Sequence, residues 1–407
     1  MAGVSFLLQS ERVRVLHVIT RLIVGGAAEN TLLTVARLNR ARYDITLASG
    51  PSDGPEGSME DRIPGDVPFV RIPELVRDPH PVKDVLAAFR LYALMRRGGY
   101  HIVHTHTTKA GLLGRMVARL ARVPIVVHTP HGHSFHDYLN AVESGALKCA
   151  ERWSARWTNR VICLTEIERQ DHLRFRIGPP EKFEVIHSGV DIDRFRQACI
   201  TPAMTRQALG LPPEGPLVGC VARLVPVKGI HVLLEALPLI RAVVPHASVV
   251  LVGDGPLHDD LVRRTSALGL DGAVTFLGLR RNVAEIMPLF DVVAVPSLSE
   301  GMGRVAVEAL AAGRPVIGTR VDGLQRVIAD GETGFLVPPA DPGALARAVI
   351  RCLTDPGLSA AMSAKARGEV DAYDIEQMID KITRVYDQLV QAAAVGAPSK
   401  EPTNTLP

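Results

Sequence analysis

Short apolar runs alternate with stretches of helical periodicity along most of the chain. The first run, at 13–20, leads into a glycine turn at Gly25 and Gly26 and then a helical pattern over 27–38. That order of strand, loop and helix predicts a βα unit. Runs at 43–48, 102–105, 125–129, 161–164 and 183–186 continue the plan, and near-continuous apolar strands separated by helices predict a parallel sheet covered on both faces. Residues 191–216 break the pattern with Pro202, Pro212, Pro213 and Pro216 in a polar stretch. It then restarts, with runs at 217–221, 247–252, 274–277, 292–295, 315–318 and 334–337. The chain therefore reads as α/β, with two doubly wound domains at 12–192 and 215–372. Helical periodicity resumes over 374–390, a helix expected to pack back on the first domain, and 393–407 reads as a disordered tail.

A chain of 407 residues favours two cores over one. Ligands of open parallel sheets bind outside the carboxyl ends of the strands, so two such domains are expected to face one another across a cleft. No apolar run reaches the roughly 18 to 20 residues of a membrane span, and the apolar patch at 4–8 has no basic region before it. A cytoplasmic protein is the expectation. Five scattered cysteines (Cys149, Cys163, Cys199, Cys220 and Cys352) lack C-x-x-C spacing and read as reduced. A net charge of +3 gives no reason to expect a nucleic-acid partner.

The richest stretch runs from Ser299 to Leu310, after the run ending at Val295. A helix opening near Gly303 would aim unpaired N–H groups and its positive dipole end at an anion such as a diphosphate. Glu300 lies in the loop and Glu308 in the helix, with Gly301, Met302 and Gly303 between them. Arg223 and Lys228, followed by Gly229, occupy the loop after the first run of the second domain; a guanidinium fork and an ammonium suit a diphosphate. Gly253-Asp254-Gly255 and Gly278-Leu279-Arg280 follow the next two runs. Each of these is by itself an ordinary turn or surface loop.

Taken in order, they resemble glycosyltransferase family 4, in which Glu300 and Glu308 match the E-x7-E motif and Arg223 to Gly229 the donor-phosphate clamp. The resemblance implies the GT-B fold and retaining transfer from a nucleotide diphosphate sugar; uridine or guanosine could carry it, with a UDP-sugar favoured here and no metal or cofactor expected. It implies that Glu308 bonds the donor ribose and Glu300 a sugar hydroxyl. Backbone amides around Met302 would hold sugar and phosphate, and backbone around Arg280 would meet the base. Gly25 and Gly26 resemble the flexible loop beneath the donor phosphates, and His131 the histidine beside the reacting sugar. The acceptor is less visible: a glycan or lipid-linked sugar in cell-surface polysaccharide synthesis is the expectation if the basic surfaces described below rest on lipid.

Three features stay open. His104, His106, His128, His131, His133 and His136 could be read as a metal cluster, with strand alternation putting His104 and His106 on one face, although no metal is expected. Asp191-Ile192-Asp193 invites a similar reading but sits at the domain exit. Arginines at 115, 119 and 122 fall on a helical face opposite Leu113, Met116, Val117 and Leu120, and those at 152, 156 and 160 lie beside Trp153 and Trp157, as on a surface resting on anionic lipid or on a helix packed against a sheet with its arginines solvated. A nucleotide-sugar epimerase of the same fold and a non-catalytic sugar-nucleotide binder are the alternatives.

Overall fold

Among the described residues thirteen strands, every pairing among them parallel, form two sheets. A computed structural model describes residues 12–54, 57–132, 141–198 and 205–395. The first sheet has the order β3-β2-β1-β4-β5-β6-β7, from β1 (Val13–Ile19), β2 (Tyr43–Ser49), β3 (Phe69–Arg71), β4 (Ile102–His106), β5 (Ile125–Thr129), β6 (Arg160–Cys163) and β7 (Phe183–Val185). The second has the order β10-β9-β8-β11-β12-β13, from β8 (Leu217–Val221), β9 (Ser248–Val252), β10 (Val274–Phe276), β11 (Val292–Val295), β12 (Val316–Thr319) and β13 (Gly334–Val337). Both are doubly wound: the order reverses between β1 and β4 in one and between β8 and β11 in the other. At such a point successive helices cross to opposite faces and leave a crevice at the strands' carboxyl ends.

The chain divides into two units, one made of residues up to 186 together with those from 378 onward, the other of residues 187–377. In the second unit successive strand residues serve opposite faces, as pleating requires. Val249, Leu251, Val292 and Ala294 join one core cluster, whereas Val250, Val252, Val293 and Val295 join the other. Burying each such valine or leucine side chain contributes about 1.5–3 kcal/mol before chain entropy is charged against it.

The boundaries differ in three places from those read in the sequence. Residues 187–192, assigned above to the first domain, belong to the second unit, where Val190 N donates to Tyr373 O at 2.9 Å and Ile375 N to Val190 O at 3.0 Å. Ile192 and Phe195 of the short helix Ile192–Arg196 are buried in that unit's core. Asp191 caps this helix, its carboxylate accepting from Arg194 N at 3.3 Å. At the far end the helix Ile375–Val395 extends past 390 into the stretch assigned to a tail, as a run of alanines permits; residues from 396 lie outside the described set. Strand β3 and the helix Pro81–Gly98 occupy a segment to which the apolar runs assign no strand.

The helix Ile375–Val395 packs on the first unit through Met378, Ile379, Ile382, Val385 and Tyr386, all buried, at the spacing of one helical face. Asn30 donates to Met378 Sδ at 3.2 Å and Tyr43 Oη to Asp387 at 2.8 Å.

Candidate active site

In the second unit the loops leaving β8 and β11 are tied together. Leu298 N donates to Val227 O at 2.8 Å. Gly229, at φ +60°, lies so close to Pro296 that a Cβ there would stand 2.1 Å from its carbonyl oxygen, which only glycine tolerates. This closure sets Lys228 Nζ 2.6 Å from Glu300 Oε2, across 72 residues of chain. Ser297 Oγ donates to the same carboxylate oxygen at 2.9 Å. Gly323 lets a third loop approach, since a Cβ there would meet Glu300 O at 2.6 Å. Lys228 is 26% and Glu300 15% exposed at the side chain, so the pair is partly desolvated yet reachable.

Beside it begins the helix Arg304–Ala311, with Gly303 as N-cap and no side chain bonding the first amides. Its opening N–H groups have no carbonyl within the helix to bond. Met302 is 6% exposed and its side chain belongs to the core, which leaves only its backbone for a ligand. Glu308 Oε1 lies 3.9 Å from Arg304 Nη2, and Arg304 donates to Ser188 Oγ at 2.9 Å and to Gly189 O. Arg223 is exposed and makes no side-chain hydrogen bond or ion pair among the described residues. Arg280 Nε folds back onto Leu277 O at 3.0 Å. Motif reading passed over Ser297, Ser188, Arg304 and Gly323, whose signal is contact across the fold and not spacing along the chain.

The remaining candidates lie in the first unit. Gly25 and Gly26 are exposed at the start of the helix Gly26–Arg37, again without a side-chain cap. His131 follows β5 at φ +63°, an unfavourable conformation for a non-glycine residue that the surroundings must hold. Glu168 does part of this: its carboxylate accepts from Gly132 N at 3.0 Å and Leu164 N at 2.6 Å. Burial pushes the Glu168 carboxyl up to about 7 against the opposing pull of those amides.

Of the histidines singled out in the sequence, three meet here, together with His17, which had not been singled out. β1 and β4 pair with His17 beside His104, and His106 is two residues further along the same face. His17 Nδ1 lies 3.0 Å from His106 Nε2, and His106 Nδ1 lies 2.9 Å from His131 Nε2. His104 bonds Tyr386 Oη at 2.6 Å and Thr129 Oγ1 at 2.8 Å. His128 bonds Thr105 instead, on the face towards Gly111, and His133 and His136 lie outside the described residues. His17, His104 and His106 are close enough to hold a metal ion. However, hydrogen bonds to Tyr386, Thr129 and other imidazoles already engage all six of their ring nitrogens, so ligation would require those bonds to break.

The arginines read as a possible lipid-facing surface are divided. Arg115 is fully buried and its Nη2 donates to both carboxylate oxygens of Glu151 at 2.8 Å, because the helix Thr108–Leu120 is covered by the helix Ala141–Ala155. Arg119, Arg122, Arg152 and Arg156 are exposed. Among the described residues no helix is long and apolar enough to cross a membrane. The four cysteines among the described residues are free, and Cys199 lies outside that set.

Two family profiles match the chain, Glycosyltransferase Family 4 over residues 24–194 and Glycosyl transferases group 1 over residues 215–355. A UDP-Gal:alpha-D-GlcNAc-diphosphoundecaprenol alpha-1,3-galactosyltransferase of Escherichia coli is 31% identical over 383 residues, covering 93% of this chain and 98% of its own. A D-inositol 3-phosphate glycosyltransferase of Mycobacterium leprae is 36% identical over 313 residues, 71% of this chain and 69% of its own. Among solved structures, Anabaena HepE in complex with UDP and glucose aligns with a TM-score of 0.77 at 23% identity, over 93% of this chain and 100% of that one. WaaG, a glycosyltransferase involved in lipopolysaccharide biosynthesis, aligns with a TM-score of 0.73 at 19% identity, over 92% and 99%. At these identities the structural likeness speaks for the fold, that of GT-B glycosyltransferases.

Proposed function

Because the chain belongs to glycosyltransferase family 4, we propose that it moves a hexose-type sugar from a UDP-sugar to a glycan or lipid-linked acceptor, retaining the anomeric configuration and requiring no metal. The observation that carries this reading is the Lys228–Glu300 pair at the carboxyl ends of β8 and β11, next to the uncapped helix Arg304–Ala311. A diphosphate there meets Lys228, the exposed Arg223 and the first amides of the helix. Charge-assisted bonds of this kind contribute about 1.5–3 kcal/mol each, and they stabilise the negative charge that grows as the sugar leaves. Two cations and a helix dipole supply the compensation that a divalent ion provides elsewhere, which is the ground for metal independence. Similarity to the Escherichia coli galactosyltransferase and to UDP-bound HepE favours uridine and a lipid-linked acceptor.

In this mechanism the bond from the anomeric carbon to the phosphate oxygen breaks and the acceptor oxygen bonds the same face. The acceptor's proton passes to the departing phosphate. Glu300, fixed by Lys228 and Ser297, meets a sugar hydroxyl, Glu308 the ribose, and His131 a hydroxyl of the reacting sugar or acceptor. Peripheral contact with anionic lipid is assigned to the helix Pro81–Gly98, on which Val82, Val85, Leu86, Phe89 and Tyr92 are exposed at helical spacing beside the exposed Lys83, Arg96 and Arg97.

Calorimetry with UDP and GDP in a chelator, on wild type, Lys228→Ala and Glu308→Ala, tests the donor site. UDP binding weakened by both substitutions supports it; a folded protein that binds neither nucleotide overturns it. NMR of the product's anomeric proton tests retention. Flotation with phosphatidylglycerol vesicles tests the membrane face, which is abandoned if Phe89→Ser floats as wild type does.

A further inference from the structure

The histidine cluster of the first unit holds more information than its proximity to His131. From Thr129 a continuous chain of side chains runs through His104, Tyr386, His17 and His106 to His131, at spacings of 2.8, 2.6, 3.5, 3.0 and 2.9 Å. Its far end, His131 Nδ1, is buried and has no hydrogen-bond partner among the described residues. Burial holds His17 and His131 down to about 3, and His104 and His106 well below the ordinary imidazole value. Each ring is therefore neutral at pH 7, with one N–H and one lone pair.

In such a chain the protons must all point one way, because a ring that donates from one nitrogen accepts at the other. The contact of 2.6 Å between Tyr386 Oη and His104 Nδ1 fits hydroxyl donation and is shorter than N–H donors usually reach. Burial also raises the phenol well above its ordinary value, so it keeps its proton. With that proton committed to His104, Tyr386 accepts from His17 Nε2–H. His17 Nδ1 then accepts from His106 Nε2–H, and His106 Nδ1 from His131 Nε2–H. The lone pair left over is on His131 Nδ1.

We propose that Tyr386, His17 and His106 are positioning residues that set the direction of this chain and fix His131 as the Nε2–H tautomer, so that its Nδ1 accepts a hydrogen bond from a substrate hydroxyl. Backbone strain marks both sides of the last link, with Thr107, next to His106, at φ +63° as well as His131. The substrate in this statement rests on the glycosyltransferase reading, whereas the tautomer does not.

The test is a long-range proton–nitrogen NMR spectrum of the full chain labelled with 15N-histidine, at neutral pH and with no substrate, assigned with His131→Asn and His106→Asn. The expected result is His131 with Nε2 protonated and Nδ1 bare. Tyr386→Phe keeps the ring and removes the proton that sets the direction; His131 should then report a mixed or reversed tautomer. Its kcat should fall by about tenfold, as for one lost orienting hydrogen bond, with UDP affinity unchanged. His17→Phe, which breaks the chain at a different link, is the second variant should the first fold poorly. A wild type protonated on His131 Nδ1 overturns the proposal, as does Tyr386→Phe with tautomer and kcat unaltered. Stoichiometric zinc binding that is lost in His17→Asn also overturns it, since the imidazoles would then be ligands. An inactive wild type with the expected tautomer supports the hydrogen-bond chain and sinks the transferase reading alone.

Discussion

The loops after β8 and β11 and the histidine cluster on β1 and β4 stand at equivalent places, each where a parallel sheet reverses its order, yet they are built from opposite materials. The former offers ammonium, guanidinium and carboxylate groups on loops that water reaches. The latter offers neutral rings inside strands, each engaged by another. Charge on reachable loops suits a ligand that arrives and departs with charge, such as a nucleoside diphosphate. A buried neutral acceptor suits a hydroxyl that must be oriented without being ionised. Within one fold, the same topological position is thus built from reachable charge in one unit and from buried neutral rings in the other.

The contrast can be broken most forcefully at the first unit's buried ion pair. Arg115→Met strands the Glu151 carboxylate and should cost about 3–5 kcal/mol in urea unfolding, largely recovered when Glu151→Leu is added. A loss below about 1 kcal/mol would mean that this pair behaves like a surface pair. In the second unit Lys228→Ala should lower kcat by about 10²–10³ while leaving the melting temperature almost unchanged; equal losses in both would make Lys228 structural. Glu308→Ala should weaken UDP by roughly ten- to a hundredfold in calorimetry, if its bond to the ribose is charge-assisted.

The smallest effect is in the pH dependence of unfolding. Unfolded imidazoles take up protons near 6.5, whereas His17 and His131 resist until about 3, so their contribution is complete above 6.5 and drains away as pH falls toward 3. Glu168 works the other way: its folded carboxyl titrates near 7 against 4.5 unfolded, and its contribution is lost as pH rises from 4.5 to 7. His17→Phe should flatten the acid limb and Glu168→Gln the limb between 4.5 and 7. Curves that superpose on wild type would show these groups to be solvated.

Much of the second unit could be read directly, because its strands are continuous apolar runs and each loop with candidate chemistry follows its strand within a few residues. Lys228 and Glu300 announce themselves as charges among glycines. The first unit was less legible for physical reasons. His17 is a single polar residue in an apolar strand, and nothing along the chain says that β4 will set His104 beside it. Tyr386 lies in a helix whose periodicity predicts a buried face without naming what it covers. Arg115 was misjudged because helical spacing separates it from Leu113 and Met116 but does not reveal a second helix on its own side. Strand β3 is three residues long and sits at a sheet edge, too short for a pattern.

His104 and Tyr386 are 282 residues apart, and everything between 187 and 377 belongs to the other unit. During synthesis the second unit therefore leaves the ribosome whole while the first still lacks its last helix. Through that interval the imidazoles on β1 and β4 have no phenol above them. Domains tend to fold in order of emergence, but here the earliest strands are completed by the latest helix, so the slow, long-range closure comes after both sheets have been made. A ribosome stalled before residue 378 should yield a folded second unit beside an unfinished first one, with protease resistance appearing in the reverse of the order in which the strands were made.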